Sequence, residues 1–106
     1  MSRILLVGVD LFFRAKIDAM LSPRGHVVTA RAGDEPPDVV IADVNRADPM
    51  AVLAEHAGVP VLGFGQHTDP ARLREARQAG FVQAVPRSVL VERLPELVEQ
   101  ALGARR

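Results

Sequence analysis

An α/β fold built on a parallel β-sheet is what this sequence predicts, and three observations predict it. Short apolar runs occur at residues 4–9, 39–44, 59–64 and 81–85, with a weaker one at 26–30. The first two are continuous rather than alternating, as in strands buried on both faces. Between most of the runs lie segments with helical spacing and clear helix start and stop signals, the alternation of a βα repeat.

The elements follow in order. After the first run, Leu11–Leu21 places Phe13, Ile17, Met20 and Leu21 on one helical stripe, and Pro23 and Gly25 end it. The run "VVIADV" at residues 39–44 carries Asp43 at its tip. Asp48-Pro49 starts a short helix that Gly58 closes, and Asp69-Pro70 starts another that Gly80 stops. In both, an aspartate can cap the first turn and proline suits the first helical position. A last helix is predicted over residues 91–102. Pro95 lies inside it and is tolerated only near a helix start, where the N–H groups have no intrahelical partner. The preceding "PRSVL" therefore reads as a loop.

One connection departs from the alternation. Only "RAGDEPP" lies between the weak run and Asp38, and its two prolines and glycine argue against a helix. If the second and third strands flank the first, the chain must return about 16 Å along the sheet and about 10 Å across it. Its eight Cα steps reach about 25 Å when extended. The crossover is feasible as a stretched chain. One helix of the repeat is thus expected to be missing, leaving a thinly covered patch of sheet that favours either an interface or a covering connector.

The chain has 106 residues, enough for one domain spanning 1–106 with a real core. Thirteen basic and thirteen acidic residues cancel, so no net field favours nucleic acid or a membrane surface. There is no cysteine, which excludes disulfides and thiolate metal sites. The first residues carry no secretory pattern and no run is long enough to span a bilayer, so a cytoplasmic location is expected.

The motifs "RILLV" followed by Arg14, "PDVVIAD", and "PVLGFG" leading to "PARLREARQAGF" resemble, in this order and spacing, the receiver domain of bacterial response regulators. The resemblance covers nearly the whole chain. It implies a flavodoxin-like, doubly wound five-stranded parallel sheet of order 2-1-3-4-5, with the family's second helix missing or reduced. It also implies that Asp43 stands where receivers accept a phosphoryl group. The acidic pair that holds magnesium is replaced by Gly8 and Val9, with Asp10 the nearest spare carboxylate. Gly65 stands where a hydroxyl is usual, Arg87 where a lysine is, Ser88 where a proline is, and Ala84 where an aromatic switch residue is.

These replacements predict loss of function at the rim. Magnesium needs hard oxygen ligands in octahedral geometry, and two carboxylates are gone. No metal, cofactor or catalytic residue is therefore expected, and Asp43 is expected to pair with Arg87 or with backbone N–H groups. Asp10 is expected to reach this pocket only if its loop shifts register. The functional expectation is a degenerate receiver acting as a phosphorylation-independent protein–protein interaction module, not an enzyme. The implied partner face holds Arg74, Arg77, Gln78, Gln83, Val89 and Leu90. A homodimer through the thin patch or the last helix is a further expectation.

Two other readings stay open. One is a small-molecule sensor at the strand C-terminal rim, around Gly8, Gly65 and His67. The other is a weakly active receiver that accepts phosphate through Asp43 with help from Asp10. His26, His56 and His67 show no metal-ligand spacing, and "GFGQH" lacks the third glycine of a nucleotide loop.

Overall fold

The computed structural model describes residues 2–104. Strands β1 (Ser2–Val7), β2 (His26–Thr29), β3 (Val39–Asp43), β4 (Val61–Gly65) and β5 (Gln83–Pro86) form one parallel sheet of order β2-β1-β3-β4-β5. Helices α1 (Leu11–Leu21), α2 (Pro49–Glu55), α3 (Pro70–Ala79) and α4 (Arg87–Gly103) cover it. The predicted fold class and strand order are those observed.

Both faces of the sheet are buried, which is why the runs are continuous. Ile4, Leu6, Ile41, Leu62 and Phe64 point to one core, closed by Phe13, Ile17 and Leu21 of α1 and by Leu94, Leu97 and Val98 of α4. Leu5, Val40, Ala42 and Val61 point to the other, closed by Val52 of α2 and by Leu73 and Ala76 of α3. Three helices start on an aspartate whose carboxylate accepts a backbone N–H. Asp10 takes that of Phe13, Asp48 that of Ala51, and Asp69 that of Arg72, at 2.9, 3.2 and 3.3 Å.

The start of the last helix is corrected. α4 begins at Arg87, so "PRSVL" is not a loop. The backbone leaves helical values at Arg93 (φ −118°, ψ 17°), dividing α4 into two segments. Pro95 then falls in the first turn of the second segment, where a missing N–H is tolerated. The longer helix turns Leu90 into the core, fully buried, so Leu90 is withdrawn from the predicted partner face.

No helix joins β2 to β3. The connector lies across the sheet, and Ala32, Gly33, Glu35 and Pro37 line a dimple of about 10 Å³ over Leu5. Arg3 holds the connector through its backbone N–H to Asp38 at 2.8 Å and its guanidinium to Glu35 at 3.6 Å. Leu5 is buried as a result, and Val27 on the edge strand is the large apolar side chain left exposed there, at 42%. The connector thus lies against Leu5, while Val27 beside it stays open to solvent.

Candidate functional site

The C-terminal ends of β1, β3, β4 and β5 converge on one rim. Gly8 turns the chain out of β1 with φ +71°, and a Cβ there would sit 3.4 Å from the Cβ atoms of Arg46 and Ala47. The loops after β1 and β3 therefore lie against each other. Val9 follows, half-buried against the α1–α4 core. Asp10 then caps α1.

Asp43 is buried at the tip of β3. Its Oδ1 accepts the backbone N–H of Asn45 at 2.9 Å. Its Oδ2 is 3.8 Å from Arg87 Nη2. The same Nη2 lies 3.4 Å from Asp10 Oδ2. Asp10 reaches this position with α1 in its predicted register: Oδ1 caps the helix while Oδ2 faces the rim. The Phe13 N–H first, and the Arg87 guanidinium after it, hold the Asp10 carboxyl below the ordinary carboxylate range.

Arg87 is fixed from below as well. Its guanidinium carbon lies 4.4 Å from the centre of the Phe13 ring and 5.5 Å from that of Phe64. The two rings meet edge to face at 4.9 Å. One guanidinium therefore rests on two aromatic rings and faces two carboxylates. Asp43, Arg46, Phe64, Gly65 and Arg87 border an open pocket of about 400 Å³ beside it.

Residues that sequence patterns did not flag cross-link the rim. Asn45 Oδ1 accepts the N–H of Gln66 at 2.7 Å, and its Nδ2 donates to Asp69 at 3.1 Å. Arg72 Nε donates to the carbonyl of Val44 at 2.7 Å. These bonds close off Gly65. A Cβ there would stand 2.7 Å from Asn45 Oδ1 and 2.9 Å from Val44 Cγ2. Gly65→Ser is therefore expected to destabilise the fold by about 1–3 kcal/mol through overpacking, measurable as a lower urea midpoint at unchanged slope. A neutral result would mean that Asn45 moves aside freely.

The other predicted residues are spread out. Arg74 and Gln78 are exposed on α3, Gln83 is half-buried in β5, and Val89 is half-buried on α4. Arg77 Nη1 donates to the Ala84 carbonyl at 2.7 Å, which ties its head down. Ala84 is itself buried in the α2–α3 core. His67 is exposed and lines a second rim cleft together with Arg87. Among the described residues no group of three or more His, Asp or Glu side chains is placed to hold a metal ion.

Solved structures share this architecture. NtrX from Brucella abortus matches with a TM-score of 0.84 at 19% identity, over 98% of this chain and 27% of its own. Full-length FixJ from B. japonicum matches with a TM-score of 0.82 at 21% identity, over 99% of this chain and 59% of its own. A response regulator receiver domain protein from Clostridium thermocellum matches with a TM-score of 0.82 at 16% identity, over 98% of this chain and 96% of its own. This chain has the receiver-domain fold. It spans about a quarter of the length of NtrX and somewhat over half that of FixJ. No protein-family model and no curated protein matches it in sequence. On the receiver fold, Asp43 and Gly65 end β3 and β4 and Arg87 directly follows β5, around one pocket.

Proposed function

We propose that this chain is a degenerate receiver domain that works as a protein–protein interaction module of bacterial signalling, without phosphorylation. The observation that supports this reading is the Arg87 guanidinium facing both Asp10 and Asp43. A tethered cation already stands between the two carboxylates that a divalent ion would need and offsets one of their two charges. A magnesium ion would have to displace Arg87 and would then find only two carboxylates, short of a good octahedral set. On this reading the residues present do not fit the ion.

The remaining rim agrees with this. Gly65 supplies no hydroxyl, and the space for one is taken. Ala84, buried at the aromatic-switch position, has no ring to rotate. The two-state element that would convert a phosphoryl group into a new surface is absent from these positions. The module is not an enzyme and uses no cofactor. Its partners are proteins, including a second copy of itself, rather than nucleic acid or membrane. No helix among the described residues is long and apolar enough to cross a membrane, and the setting proposed is the cytoplasm. The partner surface is the face of α3, β5 and α4 bearing Arg74, Gln78, Gln83 and Val89.

The test is an amide NMR spectrum recorded with magnesium and beryllofluoride, a mimic of the phosphoryl group. The spectrum is expected to stay unchanged. Shifts running from Asp43 into β5 would establish a working phosphoryl switch and overturn the proposal.

A further inference from the structure

The second rim cleft shares Gly65, Gln66 and Arg87 with the pocket beside Asp43, but Asp43 does not line it. It has a volume of about 720 Å³, within the range of small-molecule sites. Its walls come from α1, from the loop between β4 and α3, and from the start of α4. Phe13, Pro86 and Val91 give it an apolar side. Lys16, His67 and Arg87 give it a polar side, and no carboxylate lines it. The chain as a whole is neutral, so this one-signed lining is a local feature.

We propose that this cleft binds a small organic anion, with an apolar or aromatic body and a carboxylate or phosphate head. The body would lie along Phe13, Pro86 and Val91. The head would sit between Lys16 and the outer edge of Arg87. Arg87 suits this because its position is set beforehand: Nη2 faces Asp10 and Asp43, and the guanidinium plane lies over Phe13. Among the described residues its ion pairs use Nη2, so Nη1 and Nε remain as donors for a ligand. The two carboxylates together outweigh the single Arg87 charge, which makes Lys16 the main source of attraction. Lys16 is exposed on α1 and makes no ion pair among the described residues. The inference goes beyond the interaction-module reading and does not require it, since a phosphorylatable Asp43 would leave this cleft in place.

The test is an amide NMR titration of the full chain with three probes: phenyl phosphate, inorganic phosphate and benzyl alcohol. Phenyl phosphate is expected to give saturable shifts at residues 66–68, at Ser88 and at Val91, with half-saturation near about 1 mM. Inorganic phosphate should bind at least about tenfold more weakly, because it gains nothing from the apolar side. Benzyl alcohol should give no saturable shift. Lys16→Glu should weaken phenyl phosphate about tenfold or more, and His67→Glu should weaken it in the same direction. Both substitutions are on exposed positions, and an unchanged spectrum without probe would show that the fold is intact. The proposal fails if phenyl phosphate gives no saturable shift at these residues, or if both variants bind it like the parent chain. Equal binding of phenyl phosphate and inorganic phosphate would overturn the organic body of the proposed ligand.

Discussion

Phe64→Ala is expected to destabilise the chain by about 3–5 kcal/mol. Phe64 is fully buried in β4, and its ring meets Phe13 edge to face. Truncation removes the transfer energy of the ring and leaves a cavity among side chains from β1, β3, α1 and α4. Domains of this size are stable by about 5–15 kcal/mol, so the loss is a large share of the total. Urea unfolding should show it as a much lower midpoint. Phe64→Leu keeps most of the volume and should cost about 1 kcal/mol. The effect also reaches the rim, because the same ring lies 5.5 Å from the Arg87 guanidinium. A loss below about 1 kcal/mol for Phe64→Ala would mean that the pair of aromatic rings does not carry this part of the core.

Arg87→Ala carries the second large effect, and it has two parts. Asp43 is buried, and without Arg87 it keeps the Asn45 N–H but loses its cation. Leaving such a group short of a partner costs about 1–3 kcal/mol. The variant is also expected to respond to divalent cations, and the parent chain is not. Asp10 and Asp43 then face each other across an open position, and a site with a dissociation constant of about 1 mM would add about 1.4 kcal/mol of stability in about 10 mM magnesium. Melting curves at matched ionic strength separate this from screening. Arg87→Lys should fall between the two, since it restores a charge without the planar guanidinium that lies over the Phe13 ring. An Arg87→Ala variant that gains no stability from magnesium would show that the two carboxylates do not form a common site.

The parts of this fold that were legible in the sequence have simple physical causes. Both sheet faces are covered at β1 and β3, so these strands read as unbroken apolar runs. Asp48-Pro49 and Asp69-Pro70 mark helix starts because capping and proline geometry act within a few residues. The start of α4 was not legible for the same reason in reverse. Pro86 offers no capping side chain, and the pattern gave no hint of a break at Arg93 that would accommodate Pro95. Leu90 was misplaced with it. At the rim, the resemblance to receivers pointed to Asp43 and Arg87. It did not reveal that one carboxylate of Asp10 both caps a helix and faces Arg87, because that depends on side-chain direction rather than residue spacing. Asn45 and Arg72 were missed because their partners lie in other loops, 21–28 positions away in sequence. Phe13 reads as a core position from helical spacing and Phe64 falls in an apolar run, but neither signal says anything about the guanidinium above them.

Arg87 is expected to take the place of a divalent cation between Asp10 and Asp43. Manganese tests it most directly, since it prefers the same oxygen ligands as magnesium and broadens nearby amide signals. On the parent chain, the amides of residues 8–10 and 43–46 are expected to keep their intensity when manganese is added, fading no sooner than those near other exposed carboxylates. Selective loss of these two segments at substoichiometric manganese would place an ion between the two carboxylates and contradict the account.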